Sequence, residues 1–269
     1  DSEKARQYVR NVMADYPEHA IVPLCWLELG RLQLERDNFI DAIASFRNAL
    51  SSELKPPDKI EAHFQLGKAF SKVNTHTDAI EHLQKCFSLD SKAYLNRPEL
   101  LKYLGQSLFA TEQYAQSCKY LIQYINLDDE AVGRDLILAR IAEALQHQGE
   151  EKLADKVYAF ITENYPGTEG YVISQIRKAE SLDRQNQGDD AHQIYQRLAE
   201  RPLSLPLMKI VFFKLAFWEW QHRNYQKSLT LIDKILQGRS NTAEYDEFLT
   251  LREKVVQDCA QLAFANNDY

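Results

Sequence analysis

The 269-residue chain lacks the short motifs that mark most catalytic and nucleotide-binding sites. It contains no GxGxxG, no GxxxxGK[ST], no HExxH and no GxSxG, so phosphate-binding loops, zinc proteases and common serine hydrolases have no support in the sequence. Its seven histidines are spread along the chain, in predicted turns or on predicted surfaces. We therefore predict that the protein is not an enzyme, with no catalytic residue, no metal site and no cofactor.

Basic runs, long apolar runs and patterned cysteines are also missing. The net charge is −7, which argues against nucleic acid as a partner. No apolar stretch approaches the roughly 18 residues that a transmembrane helix needs. The cysteines show no CxxC spacing, and we predict that they are small buried hydrophobic residues. They are Cys25, Cys86, Cys118 and Cys259.

The chain does contain a period. A series of small residues, which we call the markers, recurs with steps of 37, 37, 38, 37, 37 and 37 residues, at Ala5, Ala42, Ala79, Ser117, Ala154, Ala191 and Ser228. A second small series lies twelve residues before each marker from Ala42 onward, at Gly30, Gly67, Gly105, Ala142, Ala179 and Ala216. Such self-similarity predicts stacked copies of one supersecondary unit.

Each unit is predicted to be a helical hairpin. Bulky or apolar residues lie four and seven residues after the marker, as Phe46 and Ala49 follow Ala42, and this spacing forms one face of a helix. Turn residues separate the two small series, and prolines follow the second helix. The unit therefore reads as helix A, tight turn, helix B and breaker. We expect Gly30 to face Ala42, and Phe46 to fill the space beside the next hairpin.

The pattern W-x2-L-G…A-x3-F-x2-A, formed by Trp26, Leu29, Gly30, Ala42, Phe46 and Ala49, resembles the tetratricopeptide repeat, whose usual period is 34 residues. The resemblance implies an all-α solenoid of stacked antiparallel hairpins in a right-handed superhelix, closed by a C-terminal capping helix. The longer period and the Tyr-Pro endings at 16–17 and 165–166 resemble repeats of bacterial cell-envelope proteins. That likeness favours a periplasmic or envelope location, with the cytoplasm as the alternative.

We predict a single array over residues 1–269. Its parts are a helix-B half repeat at 1–17, six repeats at 23–57, 60–94, 98–129, 135–167, 171–204 and 207–239, and a capping helix at 241–265. The capping helix opens on Asn241-Thr242 with Glu244 behind, a plausible N-cap signal.

The resemblance also implies a binding surface, because helix A lines the concave groove in this family. Exposed positions are expected three residues before the second-series residue and one, four and five after it. On this surface the charges are basic in the early repeats and acidic in the later ones. The candidate partner-binding residues are Arg31, Phe64, Lys68, Lys72, Lys102, Phe109, Phe213, Phe217 and Trp220.

We expect a protein-interaction scaffold that binds a peptide or protein segment in this groove, within a larger assembly. One alternative is self-association, with a homodimer through repeat 6 or the capping helix. Another is the repeat domain of a larger enzyme or secretion protein whose chemistry lies elsewhere. The clamp that some family members use for chaperone C-termini needs a Lys and an Asn. The matching positions hold Leu27, Arg31, Phe64 and Lys68, so we do not carry that clamp over.

Overall fold

A computed structural model describes residues 2–128, 133–237 and 245–265, and these residues form helices and their connections without any strand. The helices are α1 (Ser2–Asp15), α2 (Val22–Leu34), α3 (Phe39–Leu50), α4 (Pro56–Lys72), α5 (His76–Leu89), α6 (Ala93–Asn96), α7 (Glu99–Ala110), α8 (Tyr114–Leu127), α9 (Arg134–His147), α10 (Glu151–Asn164), α11 (Glu169–Arg184), α12 (Gly188–Ala199), α13 (Leu205–Gln221), α14 (Tyr225–Leu236) and α15 (Asp246–Ala265). Within these ranges, no helix is long and apolar enough to cross a membrane.

The helices form where the sequence supplies an apolar face and a start signal. In α3 the marker Ala42 and its partners Phe46 and Ala49 are fully buried, as the period predicts. Prolines occupy the first turn of α2, α4 and α13, where a missing N–H costs no helical hydrogen bond. One connection differs from expectation, because the residues between α5 and α7 include the one-turn helix α6 rather than only loop.

Successive helices pack as hairpins, which confirms the predicted all-α architecture of stacked helical pairs. The chain divides into two compact units, residues 1–155 and residues 156–269. In the N-terminal unit the pairs α2–α3, α4–α5 and α7–α8 pack on one another in chain order. In the C-terminal unit α11–α12 packs on α13–α14, and α15 packs on both helices of the latter pair. The superhelical course of the array stays a prediction.

The turn inside each hairpin repeats as faithfully as the helices. Its residue with positive φ recurs with the same 37- or 38-residue step, at Asp37, Asn74, Glu112, Gly149, Asn186 and Arg223. The next residue donates its N–H to a carbonyl five positions back, as Asn38 does to Gln33 at 3.0 Å and Asn224 to Glu219 at 2.8 Å. This is the Schellman motif, which satisfies carbonyls that the end of helix A leaves without a partner.

The two small series bring helices A and B close together, but not only in the predicted way. Ser117 Oγ donates to the carbonyl of Gly105 at 2.8 Å, so marker and second-series residue do face each other. The space above Gly30, however, is filled by the ring of Phe46, whose Cε1 would lie 2.5 Å from an added Cβ. The prediction that Phe46 fills the space beside the next hairpin is therefore wrong, because its ring packs against its own hairpin.

The predictions for the capping helix and the cysteines hold in part. The N-cap signal at Asn241, Thr242 and Glu244 lies outside the described residues. In α15 the buried residues Phe248, Leu251 and Val255 all lie in the first half of the helix. Cys25, Cys86 and Cys118 are buried as expected, whereas Cys259 in α15 is exposed. That expectation is wrong for Cys259 because the second half of α15 contributes no buried residue.

Candidate partner-binding surfaces

Three basic candidates meet in the N-terminal unit. Arg31 on α2 and Lys68 and Lys72 on α4 line one depression of about 360 Å³, which we call the basic depression. Its other lining residues are Leu34, Glu35, Asp37, Phe39, Gln65 and Tyr103. The Lys68 ammonium lies 5.6 Å from the centre of the Tyr103 ring, and Arg31 pairs with Glu28 at 3.6 Å. Two carboxylates therefore share the depression with three cations, and its positive character is modest.

Phe64 does not lie on this surface. It is only 4% exposed and sits edge-on to Tyr103, with ring centres 6.3 Å apart. The sequence predicted it to be exposed because it comes three residues before Gly67. Helix α4 also packs on α7, the helix A of the next hairpin, and that contact covers this position. Leu27, at the same position of repeat 1, is likewise buried. The expectation that Phe64 anchors a partner is wrong.

Lys102 and Phe109 lie elsewhere in the unit. Lys102 is half-buried with its ammonium 5.9 Å from the Tyr124 ring centre, and it does not line the basic depression. Phe109 is half-buried, and the guanidinium of Arg140 lies 4.5 Å from its ring centre. The Phe109 ring also meets Tyr114 edge-on, at 5.3 Å between centres. Both side chains thus already have partners inside the unit, and their role in binding stays a prediction.

The three aromatic candidates of the C-terminal unit do come together. Phe213, Phe217 and Trp220 on α13 line a depression of about 380 Å³, which we call the aromatic notch. Helix α15 supplies its other wall, with Asp246, Glu247, Thr250, Leu251 and Lys254. The ring centres of Phe213 and Phe217 are 6.4 Å apart, and those of Phe217 and Trp220 are 5.5 Å apart.

The three rings of the notch have different structural duties. Phe213 packs edge-on against Phe248 of α15, at 5.4 Å between centres. Trp220 donates its indole N–H to Asp258 Oδ2 at 2.8 Å, which ties α13 to α15. Phe217 has no such bond and is 37% exposed. Phe217 is therefore the ring of the notch that is most available to a partner.

A larger depression of the C-terminal unit was not predicted. It measures about 860 Å³ and lies where the α11–α12 turn meets α13, and we call it the acidic pocket. Its lining residues are Asp183, Asn186, Gln187, Gly188, Asp189, Asp190, His192, Tyr195, Lys214, Phe217, Trp218, Gln221 and His222. Phe217 is common to this pocket and the aromatic notch.

The acidic pocket contains buried polar groups. His192 is 7% exposed and its ring stacks on Trp218, with centres 3.6 Å apart. His192 Nε2 lies 3.8 Å from Oε1 of the buried Glu219. Burial raises the pKa of Asp183 and of Tyr195, and it lowers the pKa of His192. The pocket therefore disfavours the charged forms of these groups while holding them close to one another.

The sequence did hold a signal for this pocket. We expected His192 in a turn or on the surface, and that expectation is wrong. It follows the marker Ala191 by one residue, where repeats 1 to 3 have Ile43, Ile80 and Cys118. A polar residue at a position that is mainly apolar in the other copies marks a buried polar group.

Comparison with known proteins places this architecture. A family model for the tetratricopeptide repeat matches residues 27–86. No curated protein matches the chain in sequence.

Solved structures share the fold along most of the chain. A tetratricopeptide repeat protein from Parabacteroides merdae has a TM-score of 0.66 at 13% identity, over 94% of this chain and 93% of that one. PilF of Pseudomonas aeruginosa has 0.58 at 16% identity, over 93% and 98%. The apo quorum sensor NprR of B. thuringiensis has 0.72 at 11% identity, over 93% and 75%. At these identities the likeness concerns the fold alone. Together with the family model, it places the chain in the tetratricopeptide repeat family.

Proposed function

We propose that the protein is a non-catalytic scaffold that binds a peptide or protein segment on its helix-A surface. Tetratricopeptide repeats generally mediate protein–protein interactions, because stacked hairpins leave one face of helix A free to contact a partner. The observation that carries the proposal is Phe217, an exposed ring at the rim of the aromatic notch. Exposed aromatic side chains beside an apolar depression are frequent anchors of interfaces.

The basic depression of the N-terminal unit supports the same proposal. Arg31 and Lys72 are exposed there, and Lys68 lies beside the half-buried edge of the depression. Such cations steer an acidic partner segment rather than supply most of its affinity. We therefore assign the anchoring role to the aromatic notch and an orienting role to the basic depression.

The anchor can be tested with a display library of short random peptides. We expect the wild-type protein to select peptides that share an apolar residue. Phe217→Ala should weaken their binding by about tenfold or more, which is the usual effect at an interface hot spot. Isothermal titration calorimetry with the synthesised peptides measures the change.

The matched control is Phe160→Ala, since Phe160 is an exposed phenylalanine of the same unit that lines neither the aromatic notch nor the acidic pocket. We expect it to bind the peptides like the wild type. Trp220→Ala is a poorer test, because it also removes the bond to Asp258 between α13 and α15. Wild-type affinity in Phe217→Ala would refute the anchor.

A further inference from the structure

We infer that the acidic pocket binds a cationic side chain, a guanidinium above all, of the segment whose apolar residue enters the aromatic notch. This inference rests on the proposed function and names the chemistry of the partner. The pocket is lined by three carboxylates, those of Asp183, Asp189 and Asp190, against one ammonium, that of Lys214. Its charge thus favours a positive guest.

One of the three carboxylates has no structural explanation. Asp189 and Asp190 lie in the first turn of α12, where the helix dipole favours negative charge. Asp183 lies in the last turn of α11, where the dipole disfavours it. Burial adds to this cost by raising the pKa of the Asp183 carboxyl, and Lys214 compensates it only in part. A cation in the pocket would stabilise the carboxylate at this unfavourable position.

Two unpartnered polar atoms give independent support. His192 Nδ1 and the Tyr195 hydroxyl are buried without a hydrogen-bond partner among the described residues. The two side chains are 7% and 3% exposed, and both line the acidic pocket. Buried polar groups are nearly always hydrogen-bonded in folded proteins, so two such atoms around one pocket indicate a missing partner.

The orientation of His192 indicates what that partner carries. Asn224 Nδ2 donates to Glu219 Oε2 at 2.7 Å, which identifies Glu219 as an acceptor. His192 Nε2 faces the other oxygen of Glu219, so in the neutral ring the proton belongs on Nε2 and Nδ1 is left as an acceptor. The pocket therefore presents mainly acceptors, namely this nitrogen, the tyrosine oxygen and the carboxylates. A guanidinium, which carries five N–H donors and no acceptor, complements that set.

The neighbouring rings and the acid spacing fit an organic cation. Phe217 lies between the acidic pocket and the aromatic notch, so the methylenes of a long basic side chain can pack on it while the next residue enters the notch. Within the described residues, no three His, Cys, Asp or Glu side chains are arranged to hold a metal ion. The carboxylates are thus better placed around an extended cation than around a point charge.

The direct test uses N-acetylarginine methylamide as the probe and the citrulline analogue as its neutral, isosteric control. NMR follows the indole N–H signals of the three tryptophans, assigned with Trp218→Phe. Trp218 lines the acidic pocket and Trp220 lines the notch, whereas Trp26 belongs to the other unit. We expect a saturable shift of the Trp218 signal with the arginine probe only, and its loss in Asp183→Asn. No saturable shift, or an equal shift with citrulline, overturns the inference.

A second arm uses the peptides selected on the wild-type protein, resynthesised with citrulline in place of arginine. We expect about a tenfold loss of affinity for the wild type and no difference between the two peptides for Asp183→Asn. Glu163→Gln, which removes an exposed carboxylate of the same unit outside both depressions, should keep the preference. An arginine preference that survives in Asp183→Asn overturns the assignment to this pocket.

The two arms separate this inference from the proposed function. The NMR arm needs no peptide, so it decides the inference even when the library yields no binder. Peptides that depend on Phe217 but bind equally with citrulline would uphold the proposed function and overturn the inference.

Discussion

Gly30 is the residue at which the hairpin is most tightly closed. An added Cβ would lie 2.5 Å from Cε1 and 2.7 Å from Cδ1 of the Phe46 ring, which is itself fully buried. Gly30→Ala should therefore lower the free energy of unfolding by about 1–3 kcal/mol, as overpacking of a core does. Urea denaturation measures this change.

The control for this substitution is Gly188→Ala. The nearest atom to its added Cβ is Trp218 Nε1, at 4.0 Å, and the residue begins α12. Alanine there should change stability by less than about 1 kcal/mol, in the stabilising direction. Equal stability of the Gly30 variant and the wild type would show that the Phe46 ring can move aside.

His63 and His82 form the pair that makes the N-terminal unit sensitive to acid. Their Nδ1 atoms are 3.0 Å apart, so one bond can hold only one proton between them. Burial, followed by the nearby His82, lowers the pKa of His63 from its ordinary 6.5 to about 4, and burial also lowers the pKa of His82. The unfolded chain therefore takes up protons first as the pH falls.

We accordingly expect stability to fall between pH 6.5 and about pH 4. The loss should be on the order of 1–3 kcal/mol, and constant above that range. Thermal unfolding of the wild type and of His63→Gln across these pH values tests the sign, since the variant should lose less. His19→Gln, at an exposed position, serves as control. A wild-type pH slope in His63→Gln would contradict the assignment.

Among the helical elements, the turn within each hairpin has the most uniform geometry. Glu112 adopts a φ of 61°, a conformation that costs a side-chain-bearing residue roughly 1 kcal/mol or more. Glu112→Gly should therefore raise the free energy of unfolding by about 0.5–1 kcal/mol. The reverse change, Gly149→Ala at φ 80° with no atom within 4 Å of the added Cβ, should lower it by a similar amount. Chemical denaturation of both variants separates backbone conformation from packing, and a shift of the same sign in both would refute it.

The helices and most of the core follow from the period, because burial inside a hairpin depends on residues close in sequence. Ala42, Phe46 and Ala49 are fully buried as predicted. Phe64 was misplaced because its burial depends on contact between α4 and α7, which the spacing within one hairpin does not encode. The acidic pocket was missed for the same reason, since it combines the α11–α12 turn with α13. The notch residues Phe213, Phe217 and Trp220 were found because they share one helix.

For the whole molecule, charge sets the class of partner. The net charge of −7 and a pI of about 5.6 give a negative molecule at neutral pH, and the basic depression includes Glu35 and Asp37 among its walls. We predict no binding to duplex DNA even at low salt, where the attraction of a basic protein would be strongest. Fluorescence anisotropy of a labelled duplex tests this. A rise in anisotropy that disappears with added salt would contradict the prediction.

The positive-φ turns also bear on how much sequence change the protein can absorb. Asn74, Glu112 and Arg223 line none of the three depressions, whereas Asp37 lines the basic depression and Asn186 the acidic pocket. Glycine at the first three is expected to add stability in nearly independent increments, because they lie in separate hairpins. Such a background would supply a stability reserve against which destabilising changes in the depressions could accumulate without unfolding the chain. The mutational tolerance of the binding surface is thus partly set by turns that touch no partner.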